Sequence, residues 1–325
     1  MKDVQFWLSQ AGYVLLRFYA RKYGCTAFPS LTPVSAVGSL SAFIVVFFTS
    51  QAWSRFMQMY NLAMSLEGRI FDLTLLIQNL LPPAAVWRVW RHINAAHCLT
   101  YIGASGHYTE DNLLKPLNGR YNLLCDDELK RLRAIGLAGG GATREVLSWV
   151  VTCIEEHMPA EHGNTRKQAV LDQVLRFRSA QGSIMDYVDL PFPFIYVSFV
   201  NVVCILYPAL FSLATALSFD NQPRIPIAWG NEVIGYLSTL LNTIFFLGMH
   251  SIARVFQDPF ENSYEDLSVL HYCRFEAEAS AKILLRAKAT ALDAQLEHSM
   301  AGLRDWRKLL GKHFAPDQAP EGAMI

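Results

Sequence analysis

Charged residues are scarce in this chain of 325 residues. They make up 17% of it, against roughly 25% in an ordinary soluble protein. The 28 lysines and arginines balance 28 aspartates and glutamates, so the formal net charge is zero. Without an excess of either sign, the chain is neither a strongly basic nucleic-acid-binding protein nor one with an acidic disordered tail. With 52% apolar residues, the composition indicates a membrane protein.

The sequence also lacks the patterns of common enzyme and metal sites. Its six cysteines lie far apart without a Cys-x-x-Cys pair, which indicates neither a zinc site nor a disulfide framework. Residue types that bind metals lie close together at Glu155, Glu156, His157, Glu161 and His162. Pro159 breaks the helix that would align them, and a solvated loop is the simpler interpretation. The glycines at 139–141 lack the lysine of a phosphate-binding loop. No enzymatic activity is therefore predicted.

Three long segments contain no Asp, Glu, Lys or Arg. They cover residues 23–54, 190–219 and 233–253, which are 32, 30 and 21 positions. A helix needs about 20 apolar residues to cross a bilayer, so each segment predicts a membrane span. Three buried helices of a large soluble protein are the alternative, but runs of this length rarely share one soluble core.

A fourth segment, Phe6 to Ala20, is interrupted by Arg17. It is either a first transmembrane helix whose arginine is shielded by neighbours or an amphipathic surface helix. We favour the spanning interpretation. The distribution of lysines and arginines supports it: 14 lie within residues 55–178, nine lie from residue 254 onward, and one lies between the last two apolar segments. The positive-inside rule then places 55–188 and the C-terminal region on the cytosolic side, which requires an even number of crossings.

The polar middle region predicts further helices and completes an all-α fold. Their expected ranges are Glu67–Leu81, Trp87–Tyr101, Asp126–Ile135, Thr143–Glu156 and 165–180. A C-terminal helix is expected from Ala277 to Leu310. The predicted organisation is 1–54 with the first two transmembrane helices, 55–188 as a cytosolic helical region, 189–256 with the third and fourth transmembrane helices, 257–314 with an acidic turn and the C-terminal helix, and 315–325 as a disordered tail.

Three motifs occur at the edges of the apolar segments. The first has Thr32-Pro33, the small residue Gly38, then Phe47 and the pair Arg55-Phe56. The second runs from Asp189 to Tyr196, and the third from Gln257 to Leu267 with the sequence QDPFENSYEDL. Together, and in this order, these motifs resemble those of the bestrophin family of pentameric anion channels.

The resemblance implies a pore neck at Ser39, Phe43 and Phe47. Residues four apart lie on one helical face, so each position would form a ring of side chains in a ring of subunits. Two phenylalanine rings form a hydrophobic constriction that can gate by dewetting. Ser39 departs from the family's apolar pattern and implies a wider, wetter outer end. In the alternative, Phe43 and Phe47 face lipid or neighbouring helices.

Two further sites follow from the resemblance. An apolar residue before a proline forms the cytosolic aperture in bestrophins, and Phe192 with Pro193 matches it; a phenylalanine that packs in the core at a helix start is the alternative. Asp258, Ser263 and Asp266 match an acidic loop that helps bind calcium in animal members. Ser263 stands where an acidic residue is usual, and a helix-capping acidic turn is the alternative interpretation.

The function implied by the resemblance is a bestrophin-like homopentamer that conducts chloride and bicarbonate, with chloride as the permeant ion and calcium as a cofactor to be tested. Its partners would be further copies of itself, the lipid membrane and small anions, with no nucleic acid. The plasma membrane or an organellar membrane, such as that of a plastid, would host it. A non-conducting scaffold that binds a partner through its cytosolic helical region is the alternative.

Overall fold

The computed structural model describes residues 2–24, 31–158, 163–218, 229–260 and 267–290. Within these ranges all regular secondary structure is helical, which confirms the predicted all-α class. The helices are α1 (Lys2–Tyr23), α2 (Thr32–Ile77), α3 (Pro83–Ala104), α4 (Lys115–Tyr121), α5 (Asp126–Ile135), α6 (Gly141–His157), α7 (Gly163–Asp189), α8 (Phe194–Ser218), α9 (Trp229–Gln257) and α10 (Val269–Thr290). A π-helical turn, Glu110–Leu114, precedes α4.

The chain divides into two compact units. The first, here called the membrane unit, comprises Met1–Tyr60 and Leu190–Leu267. The second, here called the helical unit, comprises Asn61–Asp189 and Ser268–Ile325. Each unit therefore combines two separate stretches of sequence.

Three helices are long and apolar enough to cross a bilayer, judged over the described part of the chain. They are Thr32–Ile77, Phe194–Leu217 and Glu232–Gln257. These helices correspond to the three segments without charge. Together with the fold, they indicate an integral membrane protein.

The membrane unit is built from α1, α8, α9 and the first part of α2. Helix α1 packs against both α8 and α9, which also pack against each other. Large apolar and aromatic side chains fill the core between α2, α8 and α9. Its buried members are Val34, Val45, Phe48, Ala52, Val200, Cys204, Tyr207, Ala214, Phe246 and Ala253.

Helix α2 is one continuous helix of 46 residues. The sequence predicted a membrane helix and a separate helix starting at Glu67, and this separation is wrong. No proline interrupts the chain between Pro33 and Pro82, so nothing removes a backbone hydrogen bond along this stretch. At about 1.5 Å per residue, α2 is more than twice as long as the roughly 30 Å hydrocarbon core of a bilayer is thick.

The helical unit is centred on α3, which packs against α6, α7 and α10. Nearly every residue of α3 from Val89 to Ala104 is buried, as expected for a helix surrounded by others. It begins with Pro83 in its first turn, where a missing N–H costs nothing.

Helix α5 has the bounds predicted from the sequence, Asp126 to Ile135. Glu128 accepts a hydrogen bond from the backbone N–H of Cys125 at its start, and Gly136, with φ +97°, ends it. Helix α6 starts two residues before the predicted position, and α7 extends to Asp189. Helix α10 starts at Val269 rather than Ala277. The rest of its predicted length and the predicted tail 315–325 lie outside the described residues.

Candidate functional site

The part of α2 in the membrane unit has one packed face and one exposed face. Val34, Val45 and Phe48 are buried against the core, at the spacing of a single helical face. Ser39, Phe43 and Phe47 lie on the other face, where Phe43 is 67% and Phe47 49% exposed. The structure therefore brings the three predicted neck residues together on one surface of this chain.

The two neck phenylalanines stack on each other. Their ring centroids lie 6.3 Å apart, with an angle of 18° between the ring planes. Apolar side chains of this size are costly to leave in water, so their surroundings are a second subunit, a narrow pore or lipid. Within one chain the exposed face is compatible with all three.

The end of this face near Ser39 is more polar. The Ser39 hydroxyl donates a hydrogen bond to the carbonyl oxygen of Ser35 over 3.1 Å. An open cavity of about 420 Å³ lies beside it and is also lined by Tyr207 and Asn242. The buried amide nitrogen of Asn242 has no hydrogen-bond partner among the described residues, so a donor is available at this cavity.

Gly38 allows α2 to approach α8 closely. A Cβ atom at this position would collide with the hydroxyl of Tyr207 and lie 2.6 Å from Cζ of its ring. Real Cβ atoms essentially never show such distances. The sequence singled out Gly38 as a small residue for helix packing, and the structure identifies Tyr207 as the side chain that uses the space.

Phe192, the predicted aperture residue, packs against the membrane unit's core. Its ring lies 5.7 Å from that of Phe48 in an edge-on arrangement. The guanidinium of Arg55 lies 5.4 Å from the same ring and donates a hydrogen bond to the carbonyl oxygen of Leu190 over 2.7 Å. Pro193 is exposed. Within one chain Phe192 therefore has the contacts of the core-packing alternative, while Pro193 and the residues after it remain at the surface.

The predicted calcium site is only partly described. Oδ1 of Asp258 accepts a hydrogen bond from the backbone N–H of Phe260 over 3.3 Å, and Phe260 is buried. Asp258 thus stabilises a local turn, as the capping interpretation expects. Ser263 and Asp266 lie outside the described residues. Among those that are described, no group of three His, Cys, Asp or Glu side chains could hold a metal ion, and calcium binding stays a prediction.

Helix α1 directs its polar residues toward α8 and α9. Arg17, which is 8% exposed, pairs with Glu232 over 2.7 Å and donates to the carbonyl oxygen of Ala216 over 3.2 Å. About two helical turns earlier, the hydroxyl of Ser9 lies 2.9 Å from the hydroxyl of Ser212. The other face of α1 is apolar and exposed; it includes Trp7, Leu8, Leu15 and Phe18. This distribution is the one expected of a helix with lipid on one side.

The helical unit contains a charged network that no sequence pattern predicts. Glu128 lies 3.1 Å from Nη2 of Arg91 and 2.8 Å from Nε2 of His92. Burial lowers the pKa of His92, although the hydrogen bond that Glu128 accepts from the imidazole opposes this. Burial tends to raise the pKa of Glu128, but the backbone N–H of Cys125, the bond to His92 and the charge of Arg91 lower it overall. The network links α3 to the start of α5. Its residues come from separate helices, so only the packing of α3 against α5 brings them together.

The fold is similar to that of solved bestrophin structures. A bacterial bestrophin homologue from Klebsiella pneumoniae has a TM-score of 0.72 and 17% sequence identity, over 87% of this chain and 98% of that chain. Two point variants of the same homologue have TM-scores of 0.70 and 0.72, with 16% and 15% identity and the same coverage. No protein-family model matches the sequence, and no curated protein matches it.

Proposed function

Because the chain has a bestrophin-like fold, we propose that it is a bestrophin-type anion channel, a homopentamer with four membrane-spanning helices per subunit. The observation that supports the proposal most is the exposed pair Phe43 and Phe47 on the face of α2 opposite the packed core. In a ring of subunits, that face would line the central axis. Each phenylalanine would then contribute to one ring of the neck.

The neck would control conduction by dehydration. A narrow apolar ring disfavours water and therefore opposes a hydrated ion, which makes it a hydrophobic gate. The edges of phenylalanine rings carry partial positive charge, so edge-on rings oppose anions less than aliphatic side chains would. Chloride and bicarbonate are the permeant ions proposed.

The polar end of the same face would form the wider entrance to the neck. Ser39 and the amide of Asn242 border one cavity. The N–H groups of Asn242 are donors that can replace part of an anion's hydration shell, whereas the Ser39 hydroxyl donates to Ser35. At the other end of the conduction path, Phe192 and Pro193 are the proposed cytosolic aperture. For Phe192 to narrow the path, its ring must leave the contact with Phe48 or present its free edge.

Helix α1 is the proposed fourth span. The charge of Arg17 is balanced by Glu232, so the helix carries no unpaired charge at this position. Its outer face is apolar, so contact with lipid exposes no polar side chains there. A surface helix would instead direct its charged side chains to water.

The experiment is to reconstitute the purified protein in planar bilayers with unequal chloride concentrations on the two sides. An anion channel gives a reversal potential near the equilibrium potential of chloride, which changes when gluconate replaces chloride. A reversal potential near the equilibrium potential of the cation would contradict the proposal. Class averages of the purified particles give the number of subunits, and any symmetry other than fivefold would contradict the pentamer.

A membrane scaffold is the second candidate. The helical unit, in which α6, α7 and α10 pack around α3, is large enough to carry a partner surface. An intact oligomer that carries no ion flux in liposomes would favour the scaffold over the channel.

A further inference from the structure

The helical unit contains an unusual buried carboxyl group. Glu276 lies in the middle of α10 and has no solvent-exposed surface. Neither of its side-chain oxygens has a hydrogen-bond partner among the residues that the structure describes. A buried carboxylate without partners is among the most costly groups in a folded protein, so the surroundings of Glu276 decide in which form it exists.

A second carboxyl group lies close to the first. Glu67 of α2 has a buried oxygen that finds no hydrogen-bond partner in the described part of the chain, and its charge acts on Glu276. Cys273, one turn before Glu276, is also buried and hydrogen-bonded to Cys98 of α3. Tyr101 of α3 belongs to the same group, since the charges of Glu67 and Cys273 act on it.

In the described part of the chain, the titratable groups linked to Glu276 and Cys273 by electrostatic interactions are acids. Glu67 comes from α2, Cys98 and Tyr101 from α3, and Cys273 from α10 itself. No lysine or arginine in the described part of the chain forms an ion pair with either glutamate. A negative charge at Glu276 would therefore have nothing to balance it.

The protonated form is favoured for this reason. Burial, and next the charge of Glu67, raise the pKa of Glu276 from 4.5 to about 9. At neutral pH the group is then a neutral acid that fits a buried site. Above pH 9 it ionises, and the folded state bears the full cost of an unpaired charge.

We propose that Glu67 and Glu276 form a buried proton-binding site, and that loss of its proton at alkaline pH loosens the packing of α10 against α3. Water can then reach Glu276 and hydrate the new charge. The site is a pH-sensitive switch in the helical unit, and it stands independently of ion conduction.

Other contacts limit how far α10 moves. Nε1 of Trp90 donates to the hydroxyl of Ser280 over 2.8 Å. On another side of the helix, Glu278 accepts hydrogen bonds from Tyr121 over 2.8 Å and from Arg120 over 3.2 Å. These bonds do not require protonation of Glu276. We therefore expect a local opening rather than complete detachment.

The test is hydrogen–deuterium exchange of the full-length protein between pH 6 and pH 10, corrected for the intrinsic pH dependence of exchange. Between the ordinary pKa of 4.5 and the raised value of about 9, the closed state holds a proton that the open state releases. The opening equilibrium of α10 should therefore rise by up to about tenfold per pH unit from pH 6 to about pH 9 and level off above it, where the closed state has also lost the proton. A profile for α10 that does not change with pH would overturn the proposal.

Three variants identify the group responsible. Glu276→Gln cannot ionise and should remove the alkaline opening. Glu67→Gln removes a neighbouring negative charge, so the transition should move to lower pH. Glu278→Gln is the matched control on the same helix; it should raise opening at all pH values without moving the transition. Equal transitions in the wild type and Glu276→Gln would overturn the assignment.

Infrared spectroscopy provides a second measurement that does not depend on the folding of a variant. In the wild type, the carbonyl band of a protonated carboxyl group should be present at pH 7 and disappear above pH 9. Its absence at pH 7 would overturn the proposal. A second result would also overturn the proposal: Ca²⁺ or Mg²⁺, added at pH 9.5, protects α10 from exchange in the wild type but not in Glu276→Gln. The two glutamates would then form a cation site rather than a proton site.

Discussion

Arg17 and Glu232 form a two-pronged ion pair across 215 residues of sequence. Nε and Nη2 of Arg17 donate to the two carboxylate oxygens over 3.0 and 2.7 Å. The guanidinium of Arg21 also approaches Glu232, at 3.8 Å. The pair joins α1 to α9, and it explains how a segment with an arginine in its middle packs within the membrane unit.

Loss of one partner should destabilise the protein more than loss of both. Arg17→Ala leaves Glu232 without its main counter-charge, and we expect a loss of roughly 2–3 kcal/mol. This is below the about 3–5 kcal/mol of a fully buried pair, because a quarter of the Glu232 side chain is exposed. Thermal unfolding in detergent measures the effect. The double variant Arg17→Ala with Glu232→Ala should recover part of the loss, and a fully additive result would contradict the coupling.

The close approach of α2 and α8 at Gly38 can be tested by adding one methyl group. Gly38→Ala should destabilise the membrane unit by about 1–3 kcal/mol, as overpacking of a core does. Combining it with Tyr207→Ala, which vacates the space, should restore part of that loss. Gly12→Ala is the control, since a Cβ there meets nothing within 4 Å; its unfolding temperature should be unchanged or slightly higher. Equal effects of the two glycine variants would contradict the contact.

Removing the neck phenylalanines should widen the pore. The double variant Phe43→Ala with Phe47→Ala should increase single-channel conductance several-fold and weaken gating in planar bilayers, because the dewetted constriction is lost. Phe18→Ala with Phe199→Ala is a matched control: these two side chains, on α1 and α8, are 69% and 50% exposed, against 67% and 49% for the neck pair. Conductance that is unchanged in the neck variant would remove both residues from the pore.

The network around Glu128 should make the helical unit sensitive to acid. The folded state lowers the pKa of His92 and of Glu128, so it binds protons less readily than the unfolded chain at both sites. Stability should therefore be highest above pH 6.5 and fall as the pH drops through 6.5 and then 4.5, the ordinary values of the two groups. Urea unfolding followed by circular dichroism at several pH values measures this.

Two variants separate this network from the general effects of acid. Glu128→Gln should cost about 1–3 kcal/mol at pH 7.5, as expected when charged hydrogen bonds are lost, and should flatten the acid dependence. Asp111→Asn is the control, because its carboxylate is 86% exposed and pairs with Lys115 only at the surface. If Glu128→Gln leaves the acid dependence of the stability unchanged, that dependence comes from other groups.

The sequence predicted those features that depend on local spacing. Long runs without charge identified the three helices that can cross a bilayer, and the predicted range Asp126–Ile135 is that of α5. The spacing of Ser39, Phe43 and Phe47 placed them on one face. The continuity of α2 was missed because its residues beyond Tyr60 become polar, whereas a helix ends only where its backbone hydrogen bonds are interrupted.

Features that depend on distant residues could not be predicted. Glu67 and Glu276 lie in the two separate stretches of the helical unit, with Leu190–Leu267 of the membrane unit between them in the sequence, and neither belongs to a recognisable motif. A hydropathy scale also counts Arg17 as unfavourable in a membrane helix, because the scale does not include the carboxylate of Glu232 that α9 supplies. The number of spans, the subunit count, the permeant ion and the residues of the aperture remain predictions for the experiments above.

The Arg17–Glu232 pair also has a consequence for biogenesis. The ribosome adds about 5–20 residues per second, so Glu232 emerges roughly 10–40 seconds after Arg17. During this interval the guanidinium, which never loses its charge, has no counter-ion from α9. In the proposed four-span arrangement, we therefore expect the nascent α1 to keep this group hydrated at the lipid surface until the last apolar helix arrives.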